Sequence, residues 1–226
     1  FGTHGIVTTS MSGVTSLIGT DIAIQSDGDI VVSASAIRGG SYSSVVVRYD
    51  ANGDLDASFG VGGIAEHTTG GMKSGSGLFI QDDGAIFVVG TDLSGDRDYQ
   101  LTKYTKDGDL DTSFSSDGTV KTHHNGNDYA QKVVAYNDNH NGSETNDGKV
   151  LVVGSFGSNF GGSFGLVRYN ADGTLDDTFS DDGKALYDSV NQGNVSSDDR
   201  GLDIELLSNG KILVGGWRRE TRSGND

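Results

Sequence analysis

YDANGDLDASF (Tyr49 to Phe59), YTKDGDLDTSF (Tyr104 to Phe114) and YNADGTLDDTF (Tyr169 to Phe179) are one eleven-residue phrase written three times. Tyr opens it and Phe closes it, with Gly fifth, Leu seventh, Asp eighth and Ser or Thr tenth. The Gly follows Asn52, Asp107 or Asp172, as a tight turn requires: Gly takes positive φ without steric cost, and Asn or Asp tolerate it. Leu55, Leu110 and Leu175, with the closing Phe residues, are apolar pins holding a surface link onto a core. Asp56, Asp111 and Asp176 are placed to accept backbone N–H groups of the next turn.

Outward from the phrase lie short β-rich runs. The first copy has DIAIQ, then Asp27-Gly28, then IVVSASAI, then SVVVRY ending at Tyr49. Asp-Gly between two β-branched runs is a hairpin signal. The second copy repeats this with SGLFIQ, Asp83-Gly84, AIFVVGT and YQLTKY, and the third with YAQKVVAY, Asp147-Gly148, KVLVVGS and FGLVRY. The fourth has GLDIELL, Asn209-Gly210 and KILVGGW, with no final run. IVTT, GGIAEH, GTVKTHH and GKALY precede these series and are read as the first strand of each repeat. The repeats then span approximately 1–49, 50–104, 105–169 and 170–226 in a single repeat domain, part of a longer chain, with the last repeat one strand short.

Phe1, Phe59, Phe114 and Phe179 recur at intervals of 58, 55 and 65 residues, the longest holding an insertion at 137–146. Such periods, with about four strands and a hairpin Gly in each, fit the blades of a β-propeller rather than a leucine-rich or helical solenoid. IVVSAS, IFVVGT, VLVVGS and ILVGGW are apolar on both alternating faces, as in a sheet sandwiched between neighbours. An all-β propeller of four antiparallel repeats is the expected fold, and a β-sandwich array is the alternative.

Composition narrows the function. The chain has 226 residues, 36 Gly, no Pro and no Cys, so disulfides and thiolate metal sites are excluded. No apolar stretch is long enough for a membrane-spanning helix. Asp and Glu number 32 against 16 Lys and Arg, a net charge of −16, which leaves no clustered basic surface for nucleic acid.

The phrase RYDANGDLDASFG (Arg48 to Gly60), with RYNADGTLDDTF (Arg168 to Phe179) and the run from Gln81 to Gly90, resembles the bacterial delta-60 repeat. That family is one of propeller-like repeats of unassigned function. The resemblance covers essentially the whole chain and implies a secreted or surface protein of bacteria, with no catalytic residues to carry over. Lys103 and Thr105 depart from its Arg and Asn, and Ser115 and Ser180 stand where Gly usually follows the Phe.

Several side-chain groups are candidates for chemistry. Asp50, Asn52, Asp54 and Asp56 offer oxygens at alternate positions, as a calcium ion would use. The set thins to Thr105, Asp107, Asp109 and Asp111, then to Asn170, Asp172, Thr174 and Asp176, so turn chemistry is the stronger reading and no ion is required. His67 and His123 stand at strand ends, with Thr9 and Tyr187 as their counterparts, and could meet at a common mouth. No carboxylate or nucleophile recurs beside them. Trp217 and Arg218 are candidates for a glycan, since an indole stacks on sugar rings and Arg forks a carboxylate. Asn141 and Asn194 head glycosylation sequons.

The expected function is a non-catalytic structural or adhesive repeat module, extracellular or on the cell surface. Its expected partners are other copies of itself or neighbouring repeats, met through the open edge of the last blade. A propeller binding carbohydrate or calcium is the alternative, and a propeller glycosidase or lyase would need paired carboxylates on special loops.

Overall fold

A computed structural model describes residues 1–68, 75–93, 95–124, 126–136, 148–157, 162–187, 195–207 and 209–222, with the backbone alone at 75, 76, 195–197 and 220–222. The insertion at 137–146, with His140 and the sequon at 141, Asp147 of the third hairpin, and the sequon at 194 lie outside the described residues.

The described chain holds fourteen strands and no helix. Strands β1 (Ser16–Ile24), β2 (Ile30–Arg38), β3 (Ser41–Tyr49) and β4 (Ile64–His67) form sheet 1. Sheet 2 contains β5 (Gly75–Ile80), β6 (Ile86–Asp92), β7 (Asp98–Tyr104) and β8 (Thr119–Thr122). Sheet 3 contains β9 (Tyr129–Ala135), β10 (Val150–Phe156), β11 (Ser163–Tyr169) and β12 (Lys184–Tyr187). Sheet 4 holds only β13 (Val195–Leu206) and β14 (Ile212–Arg222). Every pairing is antiparallel and follows chain order.

The hairpins form as their sequences require. Gly28 turns at φ +95°, its N–H donating to the Gln25 carbonyl while Gln25 N–H bonds the Asp29 carbonyl. The same pair of bonds closes the hairpins at Gly84 and Gly210, and Gly148 keeps positive φ at the equivalent place.

Two expectations about strand order change. GGIAEH, GTVKTHH and GKALY close a sheet instead of opening one: β4 pairs with β3, β8 with β7 and β12 with β11. The phrase therefore lies inside each sheet as the link from third strand to fourth, and repeats bounded at Tyr49, Tyr104 and Tyr169 are offset from the sheets by one strand. IVTT forms no strand among the described residues beyond one bridge from Ile6 to Thr3. Among the described residues sheet 4 has two strands and not three, since GKALY belongs to sheet 3.

The first strands, β1, β5, β9 and β13, lie side by side along the inside of the arc. Each carries a β-bulge at the same place, after Gly19, Gly75, Ala130 and Gly201. A bulge adds local twist, which turns each inner strand against the next. One apolar cluster fills each gap between sheets. Val31, Leu78 and Val88 lie between sheets 1 and 2, Phe87, Val133 and Val152 between sheets 2 and 3, and Leu151, Ile204 and Val214 between sheets 3 and 4. The arc is open at its ends, where Ile22 of sheet 1 and Leu213 of sheet 4 are exposed.

Candidate interaction site

The phrase joins each sheet to the next. After its closing Phe, the backbone N–H of Gly2, Gly60 and Ser115 donates to the turn carbonyl of the following copy, at Asn52 (2.8 Å), Asp107 (2.8 Å) and Asp172 (2.9 Å). The turn glycines Gly53, Gly108 and Gly173 have φ of +94°, +90° and +86°. A Cβ there would stand 3.2 Å or less from the Phe ring of the preceding copy, so Gly is required for closeness as well as for φ. Ser115 and Ser180 both sit at φ +53°, beside +52° for Gly60, so the departures from Gly keep the same turn at the expense of local strain.

A charged clasp backs this joint. Arg48 Nε donates to Asp56 Oδ2 at 2.6 Å, and its other nitrogens reach Ser58 Oγ at 3.2 Å and, across the gap, the Lys106 carbonyl at 2.7 Å. Asp56 Oδ1 accepts from the Ser58 hydroxyl and N–H, which hold its carboxyl below the usual range. Arg168, Asp176 and Thr178 repeat the pattern, with Lys149 Nζ added at 2.8 Å. Burial alone would raise the Asp176 pKa, but Lys149, Thr178 and Arg168 together lower it strongly. In the second copy Lys103 holds Asp111 at 2.9 Å.

The clasp and the turn both draw on the calcium candidates. Asp56 is turned to Arg48, while Asp50 Oδ1 accepts the N–H groups of Asn52 and Asp54 at 2.9 Å each. Asp50 and Asp56 thus serve two separate hydrogen-bond sets.

A second group was not visible in the sequence. Asp98, His123 and Asp128 bring their ligand atoms within 4.8 Å of one another at the end of sheet 2. Asp98 Oδ1 accepts a hydrogen bond from His123 Nδ1–H at 2.7 Å, and this bond raises the His123 pKa. Asp128 is buried and accepts from the N–H groups of His124 and Gly157; desolvation pushes its pKa up. His67 is no counterpart of His123. It pairs with Ser44 as Thr122 pairs with Tyr99, and it is buried where His123 is exposed.

Trp217 and Arg218 are adjacent on β14 and so project from opposite faces of sheet 4. Trp217 instead ends a stack: Arg200 lies 5.2 Å from its ring and 5.4 Å from that of Tyr129, and Arg97 lies 5.3 Å from Tyr129 on its own account.

Sheet 4 is the open part of the molecule. Among the described residues β14 bonds only to β13, whereas β2, β6 and β10 are each paired on both sides. Phe179 is half-buried, where Phe59 and Phe114 are fully buried beneath the next copy's turn.

Residues 25–59, 81–114 and 145–179 match the family described as a domain of unknown function (DUF5122) beta-propeller. The chain carries β-propeller repeats. Each matched segment ends on a closing Phe of the phrase, and the first two start at the hairpin residues Gln25 and Gln81, so the propeller match covers the hairpin-to-clasp part of sheets 1 to 3. No curated protein matches the chain.

Proposed function

We propose that the chain is a non-catalytic structural or adhesive module, working outside a bacterial cell as its delta-60-like phrases imply, and joined to protein through the edge of β14. One observation carries this reading: among the described residues β14 pairs on one side only, while its counterparts β2, β6 and β10 pair on both. An unpaired edge is a template for strand addition, in which main-chain bonds supply affinity. The recurring carboxylates also support a structural role, since Asp56, Asp111 and Asp176 are committed to clasp cations and backbone N–H groups.

The test is hydrogen exchange along Ile212–Arg222, alone and with a synthetic SFGLVRY peptide, the sequence that pairs with β10 in sheet 3. The amides facing away from β13 exchange fast in the free chain and slow when the peptide is added. Slow exchange throughout, or no response to the peptide, overturns the reading. Calcium has no part in it. A saturable rise in melting temperature with calcium but not magnesium, lost on Asp54→Ala with Asp56→Ala, would count against it.

The stack of Tyr129, Arg200 and Trp217 favours a second reading, a site for an acidic glycan, with the indole under a sugar ring. Trp217 is the single Trp, so its fluorescence reports binding directly. A titration with an acidic oligosaccharide that leaves the emission unchanged removes this reading.

A further inference from the structure

Asp98, His123 and Asp128 meet where sheet 2 joins sheet 3, between two four-stranded sheets and away from both ends of the arc. Two of the three depart from the repeat. Asp98 opens β7, where register aligns it with Ser43 of β3 and Ser163 of β11. His123 follows the last residue of β8, in the place that Thr68 takes after β4. The blade frame requires neither a carboxylate nor an imidazole at these places, since the other copies use hydroxyl side chains there. Asp128 comes from the far side of the joint, one residue ahead of β9. Its N–H donates to the Arg97 carbonyl at 2.6 Å, which fixes the start of sheet 3 against the approach to β7.

Asp128 is the independent sign of a cation. It is wholly buried, and the comparably buried Asp92 and Asp176 each meet a lysine, Lys121 at 2.5 Å and Lys149 at 2.8 Å. Among the described residues the Asp128 carboxylate instead accepts only the backbone N–H groups of His124 at 2.6 Å and Gly157 at 3.0 Å. Neutral donors hold a carboxylate in place without cancelling its charge, and a buried charge without a cation is costly. The nearby His123 directs its Nδ1 proton at Asp98, not at Asp128. A carboxylate has about four lone-pair sites. Each Asp128 oxygen uses one on its N–H, which leaves another for a further ligand.

The donor set selects the ion. One imidazole with two carboxylates suits zinc and its neighbours, whereas calcium and magnesium take shells of oxygen. Ligands about 2.0–2.2 Å from one tetrahedral ion stand roughly 3.3–3.5 Å apart. The three ligand atoms lie within 4.8 Å of one another, and the His123 side chain is 52% exposed, free to close the remaining distance and open to an entering ion.

We propose that Asp98, His123 and Asp128 form a site for a divalent transition ion of the zinc class, held through one imidazole nitrogen and two carboxylate oxygens across the joint of sheets 2 and 3. The ion cancels the charge of Asp128 and ties the end of one blade to the start of the next. Three protein ligands leave the fourth position to water. The site is independent of the β14 edge, and its failure leaves the edge reading untouched.

Calorimetric titration with zinc chloride tests this on the full 226-residue chain, stripped with a chelator and kept in excess magnesium to occupy exposed carboxylates. One ion per chain is expected, with a rise in melting temperature. Losing an outer-shell partner alone costs about 10–100-fold in metal affinity, so His123→Ala and Asp98→Asn should each weaken binding by about tenfold or more. The circular-dichroism spectrum of His123→Ala should not change, because that side chain is half exposed. His4→Ala, at an exposed turn, should leave the affinity as it was. The ring-nitrogen NMR signals of His123 should shift as zinc is added. A chain that binds no zinc overturns the proposal. So does binding that survives both His123→Ala and Asp98→Asn, which would mean zinc held diffusely by a chain of net charge −16. Calcium that competes equally with zinc also overturns it, because the imidazole would then take no part.

Discussion

The gap between sheets 1 and 2 and the gap between sheets 2 and 3 are built on the same strand positions but filled with different chemistry. Sheet 2 offers Phe87, Val89 and Tyr99 to sheet 3, where sheet 1 offers Val31, Ser33 and Ser44 to sheet 2. The second gap is aromatic: Phe87 meets Phe114 edge-on at 5.6 Å, and Tyr99 stacks on Phe156 at 4.7 Å. The first gap buries polar groups instead, with Ser44 beside the Tyr104 hydroxyl and both amide atoms of Gln100 without a hydrogen-bond partner there. Such groups cost about 1–3 kcal/mol each when left unpaired. The clasp runs the other way. Arg48 crosses the first gap to the Lys106 carbonyl, while the second copy has Lys103 in that role. The lesson is that the repeat fixes the frame, and each gap then balances its filling against its clasp.

The comparison breaks first at the filling. Phe87→Ala in the aromatic gap is expected to cost about 3–5 kcal/mol, the usual range for a buried Phe. Its counterpart Val31→Ala should cost less than half of that, as read from urea unfolding midpoints. Equal losses would mean the two gaps are equivalent in energy after all.

The clasp gives the next largest effect, with the order reversed. Arg48→Ala should cost about 2 kcal/mol, because it leaves a partly buried carboxylate and a carbonyl without their donor. Lys103→Ala should cost under about 1 kcal/mol, as a single point-charge contact. Acid tests all the clasps together. Asp56, Asp111 and Asp176 have folded pKa values below the ordinary 3.8, so their contribution is complete above about pH 4. It is lost as pH falls through the folded values. The urea midpoint should therefore drop below pH 4, and Asp176→Asn should make that drop shallower. His123 has the opposite sign: raised by Asp98, its small contribution is complete below pH 6.5 and fades as pH rises.

The smallest effects separate the polar groups. Tyr169 shares a 2.6 Å hydrogen bond with Thr122, so Tyr169→Phe should cost about 1 kcal/mol. Tyr104 has only Ser44 beside its hydroxyl, and burial has pushed its pKa up to about 12 against the pull of that serine; Tyr104→Phe should cost less than Tyr169→Phe. Gln100→Leu should stabilise by about 1 kcal/mol by the same urea midpoints.

What could be foreseen follows the range of the interactions. The hairpins at Gly28, Gly84 and Gly210 were legible because turn, φ and flanking β-branched runs lie within ten residues. The fourth strand was misplaced because its partner lies across the phrase, and no local signal says which side GGIAEH joins. Arg48 belonged to the recognisable phrase, yet its bond to Lys106 spans 58 residues. Lys132 and Asp21 are 111 residues apart and carried no mark of their meeting. The Asp98, His123 and Asp128 group was hidden by a one-residue shift, since Thr122 and not His123 aligns with His67.

The joint at Gly2, Gly60 and Ser115 also sets an order of events during synthesis. Each donates its N–H to a carbonyl about fifty residues further along, at Asn52, Asp107 and Asp172. At about 5–20 residues per second, a copy leaving the ribosome waits roughly three to ten seconds for the turn that completes it. Within that time its own antiparallel strands, all neighbours in the chain, have long since paired. Each nascent sheet is thus a folded platform holding one reserved donor, and the turn that arrives next is captured in the correct direction.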